Sequence, residues 1–458
     1  MTYAEELAGF VTGASYKDLS QSAVRALKVR VLDALGCAIG AIDGGPVKAI
    51  AEQDVDFGGR PICTTVGGGA TSPDRAALYN SALVRYLDFN DSYLAKGETC
   101  HPSDNLGAVL AGSEYAGSDG KTLLLSLAIA YQVQCRLSDA APVRAKGFDH
   151  TTQGSYAVAA GVSKALGMDQ KKTANAIAIS GTALNALRVT RTGTLSNWKG
   201  LAYPNTAFCA THATFLAMRG VTGPLEVFEG NKGFMDAIAG RFEIDWSKED
   251  LERVTKTIVK RYNAEIHSQS ALEGTIELVR EHSFTPGDVE SIEIETFDVA
   301  YNIIGGGEEG DKHTVWIKEQ ADHSIPYLVS AAILDGEVMP EQYLPERIRR
   351  SDIQTFMRKV RVSPSERYSR LFPGAMPCRI RIDLRDGRAL TKEKTDYEGF
   401  FTRPIQWETA SGKFRRLSRG HAPASLQEEI IDSVSRLESI KVKDLMGLLS
   451  NMLQKGGA

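Results

Sequence analysis

Carboxylates, hydroxyls and an imidazole are crowded into one stretch of this chain. Arg85-Tyr-Leu-Asp88-Phe-Asn-Asp91-Ser92 is followed closely by Cys100-His101-Pro-Ser103-Asp104-Asn105. Groups of these types can take up a proton, release it and orient the side chain that does so. Gly97 and Pro102 mark the stretch as loop, where scaffolds commonly present acid–base groups. Asp and Ser are also the preferred helix N-caps. Spacing alone therefore favours Asp88 and Asp104 as caps, with His101 an ordinary loop histidine.

Four more polar stretches carry candidate groups. Phe148-Asp149-His150-Thr151-Thr152 precedes a helix of small residues, with Thr151 or Thr152 placed to cap it. Arg188-Val-Thr-Arg191-Thr-Gly-Thr194 and Trp198-Lys199-Gly200 put cations into a turn-rich segment between helices. Arginine grips a carboxylate bidentately, so such a segment suits an acidic substrate, although surface loops often carry charge without function. Val259-Lys260-Arg261-Tyr-Asn-Ala-Glu265-Ile-His267-Ser268-Gln269-Ser270 is the densest polar run. Glu319-Gln-Ala-Asp322-His323-Ser324-Ile-Pro-Tyr327 reads as a capped helix start. Four of the eight histidines, His101, His150, His267 and His323, are ligand candidates in these motifs.

Other chemistries find no support. Gly120-Lys121-Thr122 ends like a phosphate-binding loop, but Tyr115 occupies the position of the required first glycine. Asp119-Gly120 is better read as the turn before a helix. Neither Gly67-Gly68-Gly69 nor Gly305-Gly306-Gly307 supplies a dinucleotide fingerprint, and there is no H-E-x-x-H. The six cysteines (Cys37, Cys63, Cys100, Cys135, Cys209 and Cys378) form no C-x-x-C pair. No metal and no iron–sulfur cluster is expected, and the sparse thiols suit a reducing compartment.

The elements that must position these groups change texture along the chain. Val24, Leu27, Val31, Leu32, Leu35 and Ile39 form one apolar helical stripe. Leu123 to Leu137, Gly154 to Leu166 and Lys172 to Leu187 read as helices too, several of them rich in Ala and Gly and so able to pack closely. After about residue 285, alternation in Val289–Phe297, Val360–Val362 and Ile380–Leu384 predicts strands, the last entering an Asp386-Gly387 hairpin turn. Tyr327 to Leu334 and the stretch from Asp352 read as helices. Past Pro404 the chain is helical again, and a tail this short must return to the first bundle to bury its apolar residues. The predicted fold is mainly α. A helical bundle domain (residues 1–268) is completed by a C-terminal segment (404–458), and a smaller α+β lid domain (269–403) is inserted between them.

With 458 residues, 43% of them hydrophobic, the chain can build a substantial core. A net charge of −4 gives no global attraction to nucleic acid or anionic membrane. The longest apolar run, Leu123 to Tyr131, is far short of a membrane span. MTYAEELAGF lacks the basic-then-apolar order of a signal peptide. These features predict a soluble, cytoplasmic protein.

Together the motifs resemble those of the MmgE/PrpD family. Arg85 through Asn105, Ala264-Glu-Ile-His-Ser-Gln269 and Ala321-Asp-His323 carry the likeness, which spans essentially the whole chain. The resemblance implies the helical domain with inserted lid, a homodimer, and a catalytic site without a cofactor. The implied reaction is dehydration of 2-methylcitrate to 2-methyl-cis-aconitate in the methylcitrate cycle of propionate breakdown, with citrate or isocitrate as further substrates. The family's decarboxylation of cis-aconitate and epimerisation of iminodisuccinate are alternatives, as is a non-catalytic helical dimer that binds small anions. The site positions implied are Asp88, Ser92, His101, His150, Lys199, Lys260 and Tyr327, with His267 and His323 in matching motifs. Ser92 stands where relatives commonly have threonine, and Gln132 where family helices often carry glutamate. His101 supported by Asp88 is the expected principal acid–base group, with His150 or Tyr327 as counterpart. Ser92, Lys199, Lys260, Arg188, Arg191, His267 and His323 are expected to hold the tricarboxylate.

Overall fold

A computed structural model describes residues 1–193 and 195–452. Thr194, at the end of the arginine-rich segment, lies outside them. The chain forms two compact units. The first comprises Met1–Arg191, Asn197–Val259 and the segment from Gln406 onward; the second comprises Lys260–Ile405 with a short stretch that includes Gly193. Among the described residues no single helix is long and apolar enough to cross a membrane.

The first unit is helical. Its principal helices are α1 (Tyr3–Gly13), α2 (Gln21–Gly40), α3 (Pro73–Tyr86), α4 (Leu106–Tyr115), α5 (Gly120–Ala140), α6 (Thr151–Ala165), α7 (Gln170–Ala183) and α8 (Trp198–Met218). The apolar stripe read from Val24 to Ile39 lies on α2, where Leu27, Val31, Leu32, Leu35 and Ile39 are buried. The glycines do what small residues permit: a Cβ at Gly107 on α4 would stand 2.5 Å from the Ser81 nitrogen of α3. Asp119 caps α5, its carboxylate accepting from the Thr122 N–H at 2.9 Å, in keeping with the turn read at Asp119-Gly120 in place of a phosphate loop. A short hairpin, β1 (Tyr93–Ala95) with β2 (Glu98–Cys100), separates Ser92 from His101.

Helix α7 stops at Ala183, four residues before the predicted Leu187. The chain instead pairs with the segment ahead of α6: Asp149 N–H donates to the Ala186 carbonyl and Arg188 N–H to that of Gly147, both at 2.9 Å. Tertiary backbone pairing has overridden local helical periodicity here.

The second unit is α+β. Strands β3 (Val289–Thr296), β4 (Val360–Pro364), β5 (Cys378–Leu384) and β6 (Ala389–Lys394) form a sheet in the order β4-β3-β5-β6. The β3–β4 pair is parallel and the other two pairs are antiparallel. Cys378, Ile380, Ile382 and Leu384 alternate inward from β5 and share a core with residues of α9 (Gln269–Glu281) and α10 (Ile325–Asp335). Gly387, at φ +88°, turns β5 into β6. Residues ahead of α9 are tied into this unit by Asn263 N–H to the Val338 carbonyl and Glu265 N–H to that of Asp322, both 2.9 Å.

The C-terminal segment returns to the first unit as α11 (Trp407–Ser418), α12 (Ala424–Ser435) and α13 (Val442–Ser450). On α11, Lys413 pairs with Asp33 of α2 at 2.7 Å, donates to the Phe89 carbonyl at 2.7 Å and lies 3.5 Å from the centre of the Phe89 ring. The return therefore grips the loop that carries Asp88.

Candidate active site

In the first unit, seven expected residues join one continuous polar cluster. Asp88 follows α3 at φ +53°, a left-handed conformation that few residues other than glycine adopt. It is not a helix cap. One carboxylate oxygen accepts from Arg85 Nη1 at 2.5 Å and the other pairs with Lys199 Nζ at 3.2 Å. Asp104 likewise faces Arg85, at 3.6 Å, and burial pushes its carboxyl up to about 7 against the pull of that cation and of Asn90. The cap reading thus gives way at both aspartates to pairing with a buried arginine. Lys199 itself is buried in the first turn of α8.

His101 leaves β2 just before the turn Pro102–Asn105. Its Nδ1 lies 2.9 Å from the Asp91 carbonyl and 3.0 Å from Ser92 Oγ. A carbonyl only accepts, so Nδ1 bears the proton and Nε2 is the basic nitrogen. Ser92 is fixed in turn by a two-way backbone pairing with Ile258, 2.8 Å in each direction. The Asp91 side chain accepts from Ser103 N–H at 3.0 Å and from the Tyr131 hydroxyl at 2.8 Å. The Asp91 carbonyl and Ser92 set the His101 tautomer.

His150 stands at the N-cap position of α6 without making a capping bond. Its ring lies edge-on to His101, centroids 5.4 Å apart, and stacks on Tyr203 at 6.0 Å. Gly154, one turn on, leaves room for Tyr203, since a Cβ there would come within 2.4 Å of that ring. Arg191 Nη2 donates to His150 Nε2 at 3.1 Å. Burial drives the His150 imidazole down, Asp149 pulls it up, and Arg191, Arg85 and Arg188 lower it again, for a value of about 3. His150 is thus neutral, with its hydrogen on Nδ1, which has no hydrogen-bond partner among the described residues.

Arg191, expected to clamp substrate, is committed within the protein. It forms a bidentate pair with Asp149 (Nε at 2.8 Å and Nη2 at 3.3 Å) and donates Nη1 to the Lys199 carbonyl at 3.0 Å. Arg188 approaches the same Asp149 at 3.9 Å. Burial would raise Asp149, but Arg191, His150 and Arg188 hold it well below the usual carboxylate range.

The second unit holds Lys260, His267, His323 and Tyr327. Lys260 is fully buried. His267 Nδ1 lies 2.7 Å from Glu265, which also accepts the His267 backbone N–H at 2.8 Å. Burial raises the Glu265 carboxyl, yet His267, His323 and Lys260 bring it down to about 2, so it is ionised. His267 Nδ1 therefore donates, and its Nε2 has no hydrogen-bond partner among the described residues. His323 repeats the pattern with Asp322 at 2.5 Å, and Lys318 pairs with the other Asp322 oxygen at 2.8 Å. Ser324 caps α10, accepting from Tyr327 N–H at 3.1 Å. The Tyr327 hydroxyl donates to the Gln342 carbonyl and burial raises its pKa. That hydroxyl proton is thereby committed to the backbone.

The residues that sequence reading missed are the carboxylates beside the imidazoles: Asp149, Glu265 and Asp322. Their signal was present, each lying one or two positions before its histidine. Gln132 is a structural tie, accepting from Arg253 N–H at 3.1 Å and donating to Glu249.

Comparison with known proteins decides the family. The MmgE/PrpD N-terminal domain matches residues 5–247 and the MmgE/PrpD C-terminal domain residues 262–439. The chain belongs to the MmgE/PrpD family. Among its relatives, the mitochondrial 2-methylcitrate dehydratase of Yarrowia lipolytica is 28% identical over 91% of this chain and 84% of its own length. The 2-methylcitrate dehydratase of Salmonella typhi is 27% identical over 76% of this chain and 74% of its own. The cis-aconitate decarboxylase of Mus musculus is 24% identical over 95% of this chain and 91% of its own.

Proposed function

We propose that this protein is a hydro-lyase that dehydrates 2-methylcitrate to 2-methyl-cis-aconitate. The observation that carries the reading is the pairing of a tautomer-fixed base, His101, with a buried cation, Lys199, and a neutral N–H donor, His150, in a chain whose relatives are named 2-methylcitrate dehydratases. In the reaction a base removes a proton from the carbon beside a carboxylate. The C–H electron pair becomes the new double bond as the C–OH bond breaks, and the hydroxyl, protonated, leaves as water. His101 Nε2 is the base; Lys199 stabilises a substrate carboxylate and the charge that develops there. The chemistry asked of the site is acid–base chemistry by side chains, in a homodimeric enzyme of a tricarboxylate pathway.

Purified protein should be assayed with 2-methylcitrate, citrate and cis-aconitate, following absorbance of the conjugated product and release of carbon dioxide. The expected result is the highest kcat/KM for dehydration of 2-methylcitrate. Carbon dioxide release from cis-aconitate without dehydration of either citrate would replace this reading with decarboxylation. His101→Ala should lower kcat about a thousandfold, within the range typical of general acid–base groups, with an unchanged circular dichroism spectrum. A near-native kcat would remove His101 from the mechanism.

A further inference from the structure

We propose that Arg191 is a positioning residue that acts through His150, locking the ring as a neutral imidazole with its hydrogen on Nδ1. The role rests on the hydro-lyase reading only for what the donor meets, a carboxylate oxygen of the substrate. Four contacts carry the inference. Arg191 is itself immobilised by the bidentate pair with Asp149 and the bond to the Lys199 carbonyl. Its third nitrogen direction points a permanent cation at His150 Nε2, 3.1 Å away. A guanidinium can only donate, so Nε2 must accept, and the hydrogen must sit on Nδ1. That Nδ1 is buried and has no protein partner among the described residues. An unpartnered buried donor costs stability, and its persistence is explained by a ligand that accepts from it.

The charged and titratable groups around His150 are Asp149 at 3.7 Å, Arg191, Arg188, Arg85, the His101 ring and Tyr203. Asp149 alone favours the imidazolium, and the three arginines oppose it. Burial still favours the neutral ring, but removing Arg191 deletes the largest opposing cation and frees Asp149 to face the ring, so His150 should then gain a proton in the weakly acidic range. A protonated ring would still donate to an anion, but its charge would change with pH, and Nε2 would be free to turn away from its present direction. Arg191 so converts a residue type that ordinarily titrates near neutrality into a fixed dipole.

The test is nitrogen-15 NMR of histidine-labelled full-length protein between pH 5 and 8, with His150→Asn identifying the His150 signals. Native His150 should remain neutral and Nδ1-protonated throughout. In Arg191→Gln it should titrate within that range. Arg191→Lys, which keeps a cationic donor and tolerates the site better, should hold the ring neutral. In the dehydration assay, Arg191→Gln should lose about tenfold in kcat and acquire a pH-dependent limb between pH 5 and 7, with the Lys variant recovering most of the loss. An imidazolium or an Nε2-protonated native ring at pH 6 would overturn the proposal, as would a Gln variant whose His150 stays neutral to pH 5. The NMR arm is independent of turnover, so absence of dehydratase activity would refute the substrate reading and leave this one standing or falling by the spectra.

Discussion

His150 and His267 are both almost completely buried, and each keeps one ring nitrogen without a hydrogen-bond partner among the described residues. What holds the other nitrogen is opposite in kind. A guanidinium donates to His150, so its unpartnered atom is an N–H. A carboxylate accepts from His267 Nδ1, so its unpartnered atom is Nε2. The engaged nitrogen thus accepts in the helical unit and donates in the α+β unit. The sign of the neighbouring charge decides which. His101 falls with His267 in using Nδ1 as a donor, toward a backbone carbonyl beside a hydroxyl.

The contrast can be broken at several points. The largest effect is expected from Glu265→Gln, which removes the ionised acceptor and allows the amide to present either an oxygen or an N–H to the ring. A fall in kcat of about tenfold to a hundredfold is expected, with secondary structure intact. Unchanged turnover would make the Glu265–His267 pair merely structural. Lys199→Met should raise KM about tenfold with a smaller change in kcat, because the cation contributes to binding in ground and transition states alike. An unaltered KM, measured with 2-methylcitrate, would count against its part in holding a carboxylate.

Gly154→Ala tests the packing behind His150. The added Cβ meets the Tyr203 ring at 2.4 Å, so overpacking of about 1–3 kcal/mol is expected, read as a lowered Tm. The smallest effect concerns acid stability. His150 has its pKa depressed to about 3 in the fold, below the ordinary value of 6.5. Between these values the unfolded chain binds a proton that the native state refuses, so this group's contribution falls as pH drops from about 6.5 to 3. Buried Asp104, raised to about 7, has the opposite slope, so the comparison must be between native protein and His150→Asn. The variant should lose less stability than the native protein between pH 6.5 and 5, and parallel curves would contradict the neutral assignment.

Much of this arrangement could be read from the chain. The period-two pattern at Val289–Phe297, Val360–Val362 and Ile380–Leu384, with Asp386-Gly387 after the last, located three strands and a hairpin because alternation and turn chemistry are local. The return of the C-terminal helices followed from their need to bury an apolar face, and Lys413 on Asp33 is its outcome. Pairings distant in sequence were not legible. Arg191 looked like a substrate clamp because Asp149, which absorbs its fork, lies 42 positions away. The same long-range pairing, through Ala186 and Arg188, ends α7 early. Asp88 resembled a cap because its left-handed backbone and its two cations are properties of the assembled loop. The carboxylates beside His150, His267 and His323 were visible as neighbours, but only geometry separates Asp149, which is captured by arginine, from Glu265 and Asp322, which face their rings.

The central claim is that the site exchanges a proton beside a carboxylate and adds or removes water while every carboxyl group stays in place. Running the reaction backwards in heavy water tests it most directly. With 2-methyl-cis-aconitate as substrate, mass spectrometry should find a hydrated tricarboxylate with one non-exchangeable deuterium on carbon. A dicarboxylate product that has lost one carbon as carbon dioxide would contradict the account.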